Sequence, residues 1–423
     1  MRKEGINSSK VDWVTVGLFA LLALAGWLNV YASVYDEEVY QSLFDFSTRA
    51  GKQLMWIGTS GILIILIMVM DFRFFDSFSY GIYGGVVLLL ILVLIFGQEV
   101  AGTRAWFALG PVKLQPSEFG KFATSLAVAK FLSDPGVKLK DFRNQATVAF
   151  IIGLPALLVL LQGDAGSTTV YVAMILVLYR EGLNPTIIII GVIVLTFLIL
   201  TLIFDQLHLT IGILGVAGLI IYRMRKSWKK IFVVITSAFL LIGEVYGIDF
   251  LMKDVFRPHQ RNRIQLLVNP NVDPLGVGWN VTQSKIAIGS GGFFGKGFLN
   301  GTQTKFNFVP EQDTDFIFCT IGEEHGWIGS FFLVGLFMAL FLRIIHLAER
   351  QKSRFGRVYG YCVACILFYH FLVNIGMTIG LIPVMGIPLP FFSYGGSSLW
   401  SFTIFLFILV KLDAHRMQVL ERI

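Results

Sequence analysis

An all-α, polytopic membrane fold with about twelve transmembrane helices is what this sequence predicts, and three observations predict it. Of its 423 residues, 55% are hydrophobic and only 14% charged, where soluble domains carry about 25% charged residues. Apolar runs of membrane-spanning or near-spanning length recur along the whole chain. Its Lys and Arg residues cluster in alternate short connections between those runs.

The runs lie at roughly 13–33, 51–70, 77–97, 118–133, 146–161, 166–180, 186–205, 208–222, 231–249, 316–346, 358–382 and 399–413. The first is too long for a cleavable leader and more spans follow at once, so it reads as a span. Several runs are short, and tilt or partial burial must make up the difference. Arg2, Lys3 and Lys10 place the N-terminus in the cytoplasm. The connection 134–145 then brings Lys138, Lys140 and Arg143 to the same side, and RMRKSWKK at 223–230 brings five more positive charges. Arg350, Lys352, Arg354 and Arg357 follow there, and so do Lys411, Arg416 and Arg422 of the tail. Both termini are therefore expected inside, since the opposite assignment would carry RMRKSWKK across the membrane.

Two connections on the outer side differ from ordinary spacers. Residues 250–315 form a long loop in which WNVTQSKIAIGSGGFFG mixes apolar and glycine-rich pieces, so it is expected to pack back onto a single transmembrane domain covering 1–423. The stretch GLIPVMGIPLPFFSYGGSS at 380–398 holds Pro383, Pro388 and Pro390, too many for a helix, and reads as re-entrant or surface-lying. Irregular backbone at membrane depth survives only where it lines a cavity or is buried in protein.

The composition also excludes some functions. A net charge of +7 invites nucleic acid, but these charges sit in membrane connections. Cys319, Cys362 and Cys365 lie in apolar surroundings as small packing residues, and the six histidines show no metal-ligand spacing, so no resident metal is expected.

Charges at membrane depth are functional candidates by default. In QPSEFGK, Glu118 and Lys121 share one helix face and can pair, either as a structural bridge or as a polar cavity floor. Arg104, in GTRAWFALG, can grip a phosphate or anchor at the interface. Asp164, in the turn LLQGDAGST, reads as the N-cap of the next helix. GSGGFFGKG at 289–297 fits neither dinucleotide nor phosphate-loop spacing, although Lys285 and Lys296 beside it can attract an anion.

The segment NFVPEQDTDFIF at 307–318 packs Glu311, Asp313 and Asp315 into five positions. Pro310 at a first helical position, with three acids facing the positive helix end, is one explanation. Asp315, followed directly by Phe316, Ile317 and Phe318, is expected to be the least solvated of the three. Farther along the same helix, Glu323 and Glu324 are not explained by the helix end. A partly buried carboxylate suits proton transfer near neutral pH.

Four blocks, RAWFALGPVKLQPSEFGK, DPLGVGWNVTQSKIAIGSGGFFGKGFLNGTQ, VPEQDTDFIF and NIGMTIGLIPVMGIPLPFFSYGGSS, resemble those of the SEDS family (shape, elongation, division and sporulation), on its RodA rather than its FtsW branch. The resemblance implies a peptidoglycan glycosyltransferase of the bacterial cytoplasmic membrane that polymerises lipid II into glycan strands on the outer side during cell elongation. It implies a class B penicillin-binding protein as transpeptidase partner, within a larger elongation machinery. The family's essential aspartate falls on Asp315, its Glu/Lys pair on Glu118 and Lys121, and its arginine on Arg104. Glu311, Thr314 and Ser393 lie in the same blocks as candidate cavity residues. Asp313 stands where the family usually has His, Gly163 and Ala165 flank Asp164 unusually, and residues 186–249 hold three apolar runs where one is expected.

The implied chemistry needs one base for the acceptor hydroxyl, because a lipid pyrophosphate leaves as an anion that positive charge can meet. Asp315 is the expected base, and Arg104 and Lys121 the expected cations. A divalent ion, Mg or Mn, can share the phosphate charge, though no dedicated cage for one is visible. Rival functions are a lipid II flippase, which many spans and broken segments suit equally well, and a non-catalytic scaffold of the elongation machinery.

Overall fold

The structure, a computed structural model, describes residues 11–417 apart from 36–43, 101, 111, 225–226, 251–276 and 307. The tail arginine Arg422 and the N-terminal Arg2, Lys3 and Lys10 lie outside the described residues. Each of the twelve apolar runs is helical over most of its length. Among the described residues, nine helices are long and apolar enough to cross a membrane. The other three runs are Pro116–Ser133, which carries Glu118, Lys121 and Lys130, Ala165–Arg180, which passes through a short 3-10 turn, and Pro185–Ile203.

The chain falls into two compact units, residues 1–183 with 280–423, and residues 184–279. In the first, α1 (Trp13–Val34), α2 (Arg49–Val69), α3 (Phe72–Ser77), α4 (Ser79–Phe96), α5 (Pro116–Ser133), α6 (Phe142–Leu161), α7 (Ala165–Thr169) and α8 (Met174–Arg180) come first. In the second, α9 (Pro185–Ile203), α10 (Gln206–Arg223) and α11 (Trp228–Phe250) pack on one another around Ile213, Ala238 and Val245. The helix α12 (Val277–Ser290) leads back to the first unit, where α13 (Thr302–Lys305), α14 (Ile317–Glu349), α15 (Arg354–Thr378) and α16 (Gly396–Ala414) complete it.

Side-chain oxygens start several helices. Asp12, Thr48, Asp164 and Ser353 accept from the amides of Thr15, Gly51, Ser167 and Gly356, which otherwise have no partner in a first helical turn. The N-cap assigned to Asp164 from sequence is thus present. The centre of the first unit is α5, α15 and α16, whose faces are largely buried. Small residues allow the approach: a Cβ on Gly360 would come within 2.7 Å of the Ala348 methyl. Phe19 of α1 meets Phe391 and Phe407 edge-on at 5.2 and 5.1 Å, joining the first helix, the proline-rich stretch and the last helix.

Three sequence expectations change. The stretch around Arg104 and Trp106 is a small antiparallel sheet of Gln98–Val100, Thr103–Leu109 and Val112–Leu114, turned at Gly110 (φ +65°). Residues 250–315 are not a loop throughout, since α12 and α13 lie within them. The acids at 311–315 do not occupy a helical first turn: the chain runs through turns there, Glu311 has φ +54°, and α14 begins only at Ile317. The proline-rich stretch, expected to be non-helical over 380–398, is irregular over 379–395 and becomes helical at Gly396.

Candidate functional site

Residues 380–395 are the element on which the candidate site is built, because the helices around them converge there. Met385 lies so close to Gly166 of α7 that a Cβ on that glycine would meet its carbonyl oxygen at 1.9 Å. Phe392 packs against Gly26 of α1 in the same way, at 2.6 Å. Gln53 of α2 donates to the Ser393 carbonyl at 3.3 Å and accepts from the Gly395 amide at 3.2 Å. His370 of α15 has Nδ1 3.1 Å from the Pro388 carbonyl, one of the groups proline density leaves without a regular partner.

Against this element lies the turn 309–316. Its three consecutive carbonyls at 313, 314 and 315 each accept a hydrogen bond from elsewhere: from the Tyr394 amide at 2.9 Å, the Ser393 hydroxyl at 2.6 Å and the Asn374 side-chain amide at 2.9 Å. Asn374 also donates to the Ile387 carbonyl at 2.8 Å, and Ser393 accepts from the Leu389 amide at 2.9 Å. On the far side, Asn29 of α1 donates to the Ile317 carbonyl at 3.1 Å, and Gln312 to the carbonyls of Ser33 and Thr304. A turn without helical bonds of its own is thereby fixed in place. The Asp315 side chain is half-buried, and a Cβ on Gly386 (φ +67°) would lie 3.4 Å from its Oδ2.

The solvation expected of the three acids is reversed at one position. Asp313, not Asp315, is the most buried, with Arg49 Nη1 2.6 Å from each of its carboxylate oxygens. Glu311 is exposed and accepts from the Thr314 hydroxyl at 3.0 Å. The cause is the irregular course of the turn, which carries the side chains of Gln312 and Asp313 inward and leaves that of Glu311 outside.

The remaining candidates divide. Asp164 accepts from Gln115 Nε2 at 3.2 Å, while Ser397 accepts from the Gln115 amide at 3.1 Å, so its turn borders the same region. Glu118 and Lys121 pair at 2.7 Å with side-chain exposures of 3% and 1%. Ser401 donates to the Glu118 carbonyl at 2.6 Å, and Phe402 lies under the ammonium at 5.1 Å. Enclosed this way, the pair joins α5 to α16 through Ser401 and Phe402. Lys296 is likewise committed, to Glu323 at 2.7 Å. Glu323 accepts in addition from the amides of Thr302, Gln303 and Thr304 at 2.8, 2.8 and 2.9 Å, a clasp that explains its presence past the helix start. Glu324 is buried beside it. Arg104 and Lys285 are exposed and make no ion pair among the described residues, and Lys285 rests against Gly380.

Two glycines of GSGGFFGKG, Gly291 and Gly295, serve packing. A Cβ on Gly291 would meet the Gly322 carbonyl at 2.0 Å, and one on Gly295 that of Glu324 at 2.1 Å. Gly326 (φ +62°) breaks α14 at the contact.

A family model, FtsW/RodA/SpoVE, described as a cell cycle protein, matches residues 12–211 and again 187–418. The chain belongs to the FtsW/RodA/SpoVE family. The two matched stretches overlap at 187–211, within the region that carries three apolar runs. Among relatives, the peptidoglycan glycosyltransferase RodA of Treponema pallidum (strain Nichols) is 32% identical over 442 residues, covering 99% of this chain and 100% of that one. The peptidoglycan glycosyltransferase MrdB of Escherichia coli (strain K12) is 34% identical over 359 residues, 84% of this chain and 83% of that one. Among solved structures, a chain of a peptidoglycan synthase complex that coordinates polymerization and crosslinking matches with TM-score 0.68 and 26% identity, over 96% of this chain and 99% of that one. The rod shape determining protein RodA of Thermus thermophilus matches with TM-score 0.61 and 25% identity, over 96% and 97%.

Residues that sequence reasoning missed are Arg49, Gln53 and Asn374. Arg49 and Gln53 open a long apolar run and Asn374 lies within another, and a polar group in such a run requires a buried partner, which was the available signal.

Proposed function

We propose that this family member is a peptidoglycan glycosyltransferase that polymerises lipid II into glycan strands during cell elongation, with Asp315 as general base. One observation carries the residue assignment: Asp315 is a partly buried residue in a turn whose carbonyls at 313, 314 and 315 are each held from outside the turn. A base so fixed takes the acceptor hydroxyl proton without first being ordered. The leaving diphosphate departs as an anion and needs positive charge rather than an acid. Arg104 and Lys285 are the cations suited to meet it, since Lys121 and Lys296 are engaged elsewhere. Mg or Mn would enter with the diphosphate, because among the described residues no group of three or more His, Cys, Asp or Glu side chains converges to hold it.

The partner is a class B penicillin-binding protein, which the likeness to a peptidoglycan synthase complex supports. Other elongation proteins and the growing glycan strand complete the setting. Lys and Arg placement favours cytoplasmic termini and an outward-facing site.

The test is polymerisation of lipid II by the purified chain with its partner, beside a flipping assay in vesicles. Asp315→Asn keeps size but cannot accept the proton, so the rate should fall by about 10²–10⁴-fold with expression and partner binding retained. Near-normal polymerisation by the variant would remove Asp315 from the role of base. Flipping without polymerisation would favour a transporter.

A further inference from the structure

Arg49 is the first residue of α2, and its guanidinium is the cation bonded to Asp313. The two partners are unequally solvated: the Arg49 side chain is 54% exposed and that of Asp313 only 2%. Asp313 is thus a buried carboxylate compensated by one cation at the protein's surface. It also lies two residues before Asp315 in a turn whose backbone is held rigidly, and Cα atoms at that separation are at most about 7 Å apart. A negative charge so near acts directly on the proton affinity of Asp315, unless it is neutralised.

We propose that Arg49 is a positioning and charge-setting residue for the reaction: by cancelling the buried charge of Asp313 it sets where the acidic limb of the reaction's pH dependence falls, and it holds the turn that carries Asp315. The proposal rests on the reading of Asp315 as base. Among the described residues, the other charged and titratable groups near the turn are these. Glu311 belongs to the turn itself and is exposed, and Tyr394 of the 380–395 stretch lies beside Arg49. His370 of α15 stands across Pro388, and the enclosed Glu118–Lys121 pair of α5 is internally neutral. Among the described residues Asp313 has no other cation bonded to it, so removal of Arg49 leaves it uncompensated.

The consequence has a sign that a purely structural bridge does not produce. Arg49→Gln leaves an extra negative charge near Asp315, which should raise the acidic limb of the pH profile of kcat/KM by roughly one pH unit. Asp313→Asn leaves an extra positive charge and should lower that limb. The double variant removes both charges and should return the limb to its wild-type position, and Arg49→Lys should restore it in part. The experiment measures lipid II polymerisation by the purified chain with its partner from acidic to mildly alkaline pH for all five proteins, with thermal melting alongside. Opposite displacements in the two single variants, cancelled in the double, support the proposal. Limbs that coincide in folded variants overturn it. If Arg49→Gln does not fold, Asp313→Asn, which leaves only a half-exposed arginine unpaired, decides alone by the downward shift or its absence. A normally active Asp315→Asn would instead defeat the reading of the base, an outcome distinct from unmoved limbs.

Discussion

At Asn374 one side-chain amide spans the carbonyls of Asp315 and Ile387, with no exposure to solvent. Leucine at this position keeps the volume but leaves two buried carbonyls without a donor, each costing about 1–3 kcal/mol. Asn374→Leu should therefore lower kcat by more than about tenfold with a smaller change in KM, because the Asp315 carbonyl loses a donor while the cations proposed to meet the diphosphate stay. Measuring both constants against the amount of folded protein checks this: equal falls in level and activity would leave Asn374 a merely structural role. Ser393, by contrast, was legible from its motif, and the structure assigns its hydroxyl a task, bridging Leu389 and Thr314. What the sequence could not rank was solvation. Asp313 and Asp315 have similar neighbours in the chain, and only the direction of an irregular turn decides which one is buried.

At the scale of elements, the glycine-rich turn after α12 and the break in α14 form one joint, backbone against backbone, with Glu323 clasping 302–304 beside it. Gly291→Ala would put a methyl 2.0 Å from the Gly322 carbonyl, and neither side can yield without moving main chain. Overpacking of that kind costs about 1–3 kcal/mol. The variant should melt at a lower temperature and lose activity in proportion to folded protein. Gly289→Ala, which meets nothing within 4 Å, should be nearly neutral and serves as the control. The sequence excluded a phosphate loop by spacing, but it could not show that the glycines are there for close approach, since the partner backbone lies about thirty residues farther along the chain.

For the whole molecule, the beginning of the first helix and the ends of later ones meet in a single ionic cluster. Arg343 donates to Asp12, and Arg350 bonds Asp413 at 2.7 and 2.5 Å while lying 3.4 Å from Asp12. The start of the first helix and the end of the last thus lie side by side. Burial alone would raise the pKa of Asp12, but hydrogen bonds from Arg343 and Thr15 outweigh it and hold the carboxyl down at about 2. A carboxylate lowered in the folded state stabilises fully above its unfolded pKa of 3.8, and loses that contribution as pH falls toward about 2. Asp12→Asn should then melt lower than the wild type at neutral pH, with the gap closing between about pH 4 and pH 2. Melting curves across that range test it, and a gap independent of pH would contradict it. The proposed orientation has its own check: in intact cells a cysteine placed at Ser227 should resist an impermeant thiol reagent, whereas one at Asn300 should react. Labelling at Ser227 would overturn the arrangement around the extra helix pair.

By itself the sequence determined the class of protein and the positions of its long apolar helices, because hydropathy, charge and proline content act locally and leave their mark residue by residue. Tertiary structure alone decided which charges are available. Lys296 reads as a candidate anion ligand until Glu323 is seen to hold it, and Arg49, which sequence reasoning missed, is found against Asp313. Asp313 lies 264 residues from Arg49, and the carbonyls that fix Asp315 are met by donors 59 to 81 residues farther on. Partners at such separations are selected by how helices pack, and packing depends on every face at once rather than on any one stretch of chain.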